Sequence, residues 1–528
     1  MIGAVATIGS GNLGGVNRLM WVCRVIAAMS LAASVAACTV GPDFVDPEMR
    51  VPAAFAFLAP ARPSKTGVDP AQAQRIGSWW KTLHDAELNS LVERAIVANP
   101  EIEAALDRVQ QAREREIAVL GAALPRVGAG GSVARGSGTD SVKSPRIPPT
   151  LDAGVNTTGF QEVTGVVGFD AGWELDLFGK YRRALEAGRY DTQSAFEARS
   201  ATVIRVVAEV ARNYAVLRGL QLRVVLLKEN IARAEDLVKL TLSRFKQGLA
   251  AEGDNLLAQR ELEALNAALP LLNSAIFDAV SRIGLLLGTY SGDVSVELKK
   301  TGALPHTPER VRPGQPIELL RRRPDIRQAE TELAAANARI GVAAADLFPR
   351  ASITTGVGVQ GGREIPGAHP PVHGLIWSVG PGAYWPLLDF GQLDAAVKQA
   401  EYRTDEILAD YRKTVIAAVE EVNTSLVRYR SALEAAQHLS KAVEASRRAL
   451  DFHTARYEHG ISDFLNVLDA ARQKYELEEQ HAIARLAVVV AYIALYKALG
   501  GGWELYQEIP PIATPLPAVV AAFHVRHR

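Results

Sequence analysis

The body of the chain is written twice, and a fold must satisfy both copies at once. Trp173, Phe178 and Gly179 recur as Trp385, Phe390 and Gly391, all displaced by 212 positions. The same shift carries Glu209-Val210 onto Glu421-Val422, Arg244-Phe245-Lys246-Gln247-Gly248-Leu249 onto Arg456-Tyr457-Glu458-His459-Gly460-Ile461, Arg260 onto Arg472 and Gly288 onto Gly500. Upstream the shift is 224, pairing Pro100-Glu101-Ile102 with Pro324-Asp325-Ile326 and Leu124-Pro125-Arg126 with Phe348-Pro349-Arg350. The difference of 12 residues is extra length between Arg126 and Trp173. A constant offset over so long a stretch marks a duplication, with halves at 76–313 and 314–503.

Each half repeats one order of hydrophobic periods. The first begins with helices expected over 86–99 and 101–124, split at Asn99-Pro100 because a residue before proline is pushed out of helical geometry. A strand follows over 161–173, where Val163, Val167, Phe169, Ala171 and Trp173 occupy odd positions and Glu162, Thr164 and Asp170 even ones. In the second half Ile353, Val357, Val359, Leu375, Trp377, Val379, Ala383 and Trp385 are again odd, against Ser352, Thr354, Ser378 and Tyr384. That alternation is the period of a strand with one apolar face. Beyond Gly179 the period becomes helical and persists from 181 to 247, about 100 Å at 1.5 Å per residue. Gly248 is placed as a helix stop, and a return helix is expected over 254–287 with a kink at Pro270. The second half repeats this with helices over 393–459 and 464–499, stopped between them at Gly460, and has Ala482 where the first half has Pro270.

Four short strands whose apolar face leads into such long helices have no soluble use for that face, whereas strands alternating apolar and polar residues suit an outer-membrane barrel. Open sheet edges are not tolerated in hydrocarbon, and four strands are too few to close a barrel. The expected fold class is therefore an α+β membrane protein. Three chains give four strands each to a trimeric 12-stranded β-barrel, continued by a long α-helical barrel.

The N-terminus carries an address. Val25 to Ala37 is an uncharged run preceded by Arg18 and Arg24, shorter than the roughly 20 residues of a membrane span, and reads as a signal peptide over 1–37. Met1 and Met20 both fit as its start. The run ends in Val35-Ala36-Ala37-Cys38, which looks like a lipobox that makes Cys38 the lipid-bearing first residue of the mature chain. A plain small-residue cleavage site containing a cysteine is the alternative. Cys23 and Cys38 are the only cysteines, so no disulfide framework or cysteine zinc site organises the body. With 58 Lys and Arg against 58 Asp and Glu, there is no net field to hold a nucleic acid.

The motifs Cys38-Thr39-Val40-Gly41-Pro42-Asp43-Phe44, Trp79-Trp80, Asn99-Pro100-Glu101-Ile102, Trp173-Glu174-Leu175-Asp176-Leu177-Phe178-Gly179 and Phe348-Pro349-Arg350-Ala351 together resemble the TolC superfamily, in particular its OprM/NodT type of outer-membrane efflux lipoprotein. The resemblance implies a homotrimeric tunnel in the outer membrane, lipid-anchored at Cys38 and extending into the periplasm. Its implied partners are a periplasmic adaptor protein, a proton-driven inner-membrane RND transporter and outer-membrane lipid. A lipid-anchored extended segment at 38–75 and a loose tail at 504–528 complete the implied organisation. The family's periplasmic gate maps onto the turns after Gly248 and Gly460. Asp254 falls on the acidic residue of the first turn and Tyr457 on its aromatic partner, with hydrogen bonds between the two implied to hold helix pairs inward. Asp469 falls on one carboxylate of the constriction, Asn466 where TolC has a second Asp, and Ser462 where it has an Arg. Asp254 and Asp469 read equally as carboxylates favoured by a helix dipole in a first turn.

No enzyme is expected. Gly356-Val357-Gly358-Val359-Gln360-Gly361 fits a dinucleotide fingerprint but lies in a strand pattern with no helix opening after it. Asp389-Phe390-Gly391 lacks the other kinase motifs, and its twin Leu177-Phe178-Gly179 makes it a strand-to-helix junction. The ten His show no metal spacing, and no cofactor is expected beyond covalent lipid on Cys38. The function read from all this is the passive exit duct of a tripartite RND-type efflux system for drugs or other small solutes. Alternatives are a conduit for type I protein secretion and a lipid-anchored coiled-coil scaffold, which leaves the duplicated strand pairs unexplained. Cys38→Ser is expected to abolish lipid labelling; mass spectrometry finding unmodified Cys38 at the head of the mature wild-type chain would contradict the lipobox.

Overall fold

The computed structural model describes residues 39–55, 76–138, 160–308, 311, 314–364 and 374–504. The signal peptide, Cys38 and all but Glu504 of the tail lie outside the described residues. A 3-10 turn at Trp79–Leu83 precedes α1 (Ala86–Ala98), α2 (Pro100–Ala122), β1 (Arg126–Gly138), β2 (Phe160–Leu175), α3 (Lys180–Lys246) and α4 (Glu252–Leu286). After α5 (Ser291–Leu298) the order recurs as α6 (Ile317–Arg322), α7 (Pro324–Ala345), β3 (Arg350–Glu364), β4 (Gly374–Tyr384), α8 (Gln392–Glu458) and α9 (Phe464–Ala498). The repeats agree in length, with 67 residues in α3 and in α8 and 35 in α4 and in α9. Pro270 lies inside α4, which continues as one helix to Leu286. A proline forfeits one backbone bond, a small share of those available in a helix this long.

Residues of both repeats enter each of two compact units. The first draws on residues 39–48, 109–195 and 329–411. Its centre is one antiparallel sheet in the order β1-β2-β3-β4. The register sets Ala129 opposite Phe169, Phe169 opposite Val357 and Val357 opposite Trp377. Odd residues thus face odd residues throughout, and one face gathers Val127, Val133, Val167, Phe169, Val357, Val359, Leu375, Trp377 and Val379. All are exposed, Val133 by 79% and Trp377 by 73%. Leaving a large apolar side chain in water forgoes about 1.5–3 kcal/mol, so this band is built for another solvent. The two repeats bend into their strands alike: Trp173 Nε1 donates to the Ala123 carbonyl at 3.0 Å, and its twin Trp385 to the Leu347 carbonyl at 3.0 Å.

The N-terminal motif docks beside this sheet. Thr39 lies against Gly179, where an added Cβ would come within 2.4 Å of the Thr39 methyl. Val40 N–H bonds the Phe178 carbonyl at 3.1 Å, and Arg183 reaches Asp43 at 2.6 Å. Gly41 adopts φ 92°, and a Cβ there would stand 2.4 Å from the Gly341 Cα. Only glycine combines that backbone with so close an approach.

The second unit draws on residues 49–108, 196–328 and 412–504. Trp79 and Trp80 are buried, with Trp79 stacked on Tyr496 at 5.9 Å and edge-on to Tyr492 at 6.5 Å. Equivalent side chains close the helix ends of each repeat: Asn99 donates to the Leu286 carbonyl at 2.8 Å, and its twin Arg323 to the Ala498 carbonyl at 2.7 Å. By length and composition α4 and α9 are apolar enough to cross a membrane. An ion pair joins them, Arg472 of α9 meeting Glu261 of α4 at 2.7 Å.

One ionic network is deeply buried. Glu478 and Lys474 each have side chains 3% exposed and pair at 2.9 Å. Glu478 also accepts from Arg447 at 2.8 Å and from Asn230 at 3.2 Å, while Asn230 accepts from Lys474 at 2.8 Å. Burial works against the Glu478 charge, but these donors hold its carboxyl below the usual range, and burial pulls the Lys474 ammonium down. Glu478→Ala leaves a buried cation without its anion, and the expected loss is about 3–5 kcal/mol. The double change Lys474→Met with Glu478→Leu is expected to recover most of it, as read by chemical denaturation in detergent. Because the Glu478 pKa is depressed on folding, its contribution is present above the ordinary Glu pKa and is lost as pH falls through the lower folded value.

Candidate functional site

The gate that the family resemblance implies falls where α3 turns into α4 and α8 into α9, and glycine shapes both turns in the same way. Gly248 and Gly460 take φ 71° and 72°. Leu249 N–H bonds the Arg244 carbonyl at 2.9 Å, and Ile461 N–H bonds the Arg456 carbonyl at 2.9 Å. These are left-handed helix caps that satisfy the last carbonyls.

Behind the turns lies an apolar cluster of Ala258, Leu450, Tyr457, Phe464, Val467, Leu468 and Ala470. Tyr457 is buried in it, 5.4 Å from the Phe464 ring. The Arg244 guanidinium lies over the Tyr457 ring at 4.7 Å and donates to the Glu458 carbonyl at 2.9 Å. Arg244 therefore fastens the end of α3 to the end of α8. Burial raises the Tyr457 pKa, the Asp254 carboxylate raises it further, and Arg244 opposes both. Asp254 is thus an electrostatic neighbour of Tyr457, as the resemblance implies. The hydroxyl is buried with Asp254 and Arg244 both acting on it, while the guanidinium lies against the ring face.

Asn466 and Asp469 stand apart on the exposed side of α9. The Asn466 amide donates to Ser462 Oγ at 3.0 Å, and Asp469 accepts from Gln473 at 2.8 Å. The duplication explains the asymmetry. Asn466 is the twin of Asp254, and Phe245 is the twin of Tyr457, so the acidic and phenolic groups occur once per chain and not twice. A further lock joins α3 to α4 where Asn255 donates to Thr241 Oγ1 at 3.1 Å and to the Val238 carbonyl at 3.2 Å. Its twin Val467 makes an apolar contact instead. Sequence reading missed Arg244 as a site residue, although its position in the duplicated Arg-aromatic motif was visible. Among the described residues, no three His, Cys, Asp or Glu side chains gather as a metal site.

A family model described as outer membrane efflux protein matches residues 91–289 and 316–501. The chain belongs to the outer membrane efflux protein family. It is 30% identical over 503 residues to nodulation protein T of Rhizobium leguminosarum bv. viciae, covering 94% of this chain and 96% of that protein. It is 28% identical to the pyoverdine export outer membrane protein OpmQ of Pseudomonas aeruginosa, covering 91% and 97%. Among solved structures, the outer-membrane channel OprN shares 33% identity and a TM-score of 0.74, over 89% of this chain and 100% of that one. The two stretches matched by the family model fall one in each repeat, so an outer membrane efflux protein of this kind is built from the duplicated unit. The fold is that of a TolC-type channel, with four strands per chain, and its place is the outer membrane.

The geometry ranks the groups at the turns. Arg244→Ala removes a cation–ring contact worth about 0.5–1 kcal/mol and a charged hydrogen bond worth about 1.5–3 kcal/mol. Tyr457→Phe keeps the ring beneath the Arg244 guanidinium and removes only the hydroxyl. Spin labels at Leu249 and Ile461 are expected to report a broadened distance distribution in Arg244→Ala and an unchanged one in Tyr457→Phe. Equal broadening in both would contradict the ranking.

Proposed function

We propose that this outer membrane efflux protein is a homotrimeric exit duct, passing small solutes outward for a periplasmic adaptor and a proton-driven inner-membrane RND transporter. One observation carries the reading: a four-stranded sheet with an exposed apolar face ends in two edges, β1 and β4, that pair with nothing among the described residues. In hydrocarbon each unpaired backbone group costs several kcal/mol. Copies of the chain remove the edges by sharing one barrel, and three supply twelve strands. OpmQ is by name an export protein for pyoverdine, which supports a small-solute cargo; a duct of this kind needs few specific contacts with what passes.

Lipidation at Cys38 suits the same arrangement. Thr39, the next residue, lies against Gly179 at the β2–α3 junction, so a lipid on Cys38 attaches beside the sheet. In the trimer the turns after Gly248 and Gly460 form the gate, with Asp254, Tyr457 and Arg244 holding helix ends together. Asn466 and Asp469 remain free to face the passage. Three exposed Asp469 carboxylates near one axis select cations.

Native mass spectrometry with planar-bilayer recording tests the reading. A conducting trimer is expected, its cation selectivity lowered by Asp469→Asn without loss of assembly. A conducting monomer or dimer would refute the shared barrel, and a non-conducting trimer would favour the scaffold.

A further inference from the structure

The even face of the sheet is its sheltered side. Val166 and Gln360 are buried on it, while Val167 and Val359 beside them on the odd face are exposed. The odd face carries the apolar band, so in the shared barrel proposed above the even face lines the lumen. An outer-membrane barrel keeps a polar interior, and the side chains there tune what passes.

Among the described side chains of that face four are charged, namely Arg126, Asp170, Glu174 and Arg350. Three of them belong to the helical end of the strands. Arg126 and Arg350 open β1 and β3, and Glu174 is the last residue but one of β2. Arg350 pairs with Asp346 at 2.8 Å, and Glu174 accepts from the Tyr181 hydroxyl at 3.3 Å. Asp170 is differently placed. Its neighbours along the strand on this face are Gly168 and Gly172, and its partners across the ladder are Gly128 and Gly356. With no side chain on any of the four, nothing beside the carboxylate shields it from the lumen. Arg126 stands diagonally from it, opposite Gly172, yet among the described residues Asp170 enters no ion pair.

The fold does not ask for this carboxylate. Aspartate is disfavoured within strands, and the duplication supplies the comparison. At the shift of 212 Asp170 becomes Gly382, which lies opposite Ser352 as Asp170 lies opposite Gly128. The same place in the same frame is thus filled by glycine in the second repeat. A charge that packing does not need, standing on a floor of glycine in a water-filled passage, acts on what passes.

We infer that Asp170 is a selectivity residue of the barrel, where three copies make a ring that favours cationic over anionic solutes. This rests on the shared barrel and adds a ring in the sheet to the one proposed for Asp469 of the other unit. Rings of carboxylates select cations through their field. In a passage kept wide by glycine that field acts across water, so it weakens as salt shortens the screening length from about 30 Å at 0.01 M to about 3 Å at 1 M.

Thiol chemistry reads the local field without depending on the gate. Ser378 lies opposite Gly356, itself opposite Asp170, so a cysteine there shares the face two strands away, about 10 Å at the usual strand spacing. Ser378→Cys in the full-length protein in membranes is treated with a trimethylammonium and a sulfonate methanethiosulfonate of similar size, and the wild type supplies the background. The ratio of the two rates, normalised to a free thiol in the same buffer, cancels the ionisation of the cysteine itself. At about 0.01 M salt the cationic reagent is expected to react several times faster, and at about 1 M the ratio is expected to fall close to that of the free thiol. Asp170→Asn is expected to remove most of the low-salt preference and Asp170→Glu to keep it. An unchanged ratio in Asp170→Asn would overturn the role of Asp170 and leave the barrel standing. Val379→Cys, on the odd face, is expected to resist both reagents. If it reacts as Ser378→Cys does, or if Ser378→Cys resists both, the even face lines no lumen and the barrel reading fails together with the proposal.

Discussion

Hydrocarbon offers no hydrogen bonds, and every other feature of this protein follows from how its sheet meets that fact. A backbone edge that water would satisfy becomes a cost of several kcal/mol per group in lipid. Among the described residues the sheet has four strands, which leaves two edges on which that cost would fall. The exposed band running through Phe169, Val357 and Trp377 has the same origin, because those side chains gain from lipid what they would lose in water.

Much of this was legible in residue order. Alternation across Val163 to Trp173 gave strand, face and parity, and β2 runs two residues past that reading, to Leu175. Both long helices and their return helices fell within a residue or two of the expected limits, because Gly248 and Gly460 punctuate them and a left-handed cap is chemically explicit in sequence. Duplication sharpened each reading, since a weak pattern seen twice at one offset is no longer weak. The family motifs proved to be contacts: Gly41 approaches Gly341, Val40 bonds Phe178, and Trp173 bonds Ala123.

What stayed hidden was long-range and polar. Lys474 and Glu478 stand four apart on α9, the spacing of an ordinary solvated ion pair; nothing local shows that Asn230 and Arg447 bury them. Arg244 looked like a basic residue closing a helix, and only folding lays it over Tyr457. The gate resemblance pointed to Asp254 and Tyr457, and the structure sets Arg244 beside the same ring. Such choices depend on which side chains share a small enclosed volume, and periodicity carries no record of that.

Backbone amide exchange on the intact protein in membranes bears most directly on the claim that the edges are shared. If β1 and β4 are paired between copies, their amides exchange as slowly as those of the central strands β2 and β3. Rapid exchange along one side of β1 and β4 with β2 and β3 protected would mean that the edges remain open, and the shared barrel would be wrong.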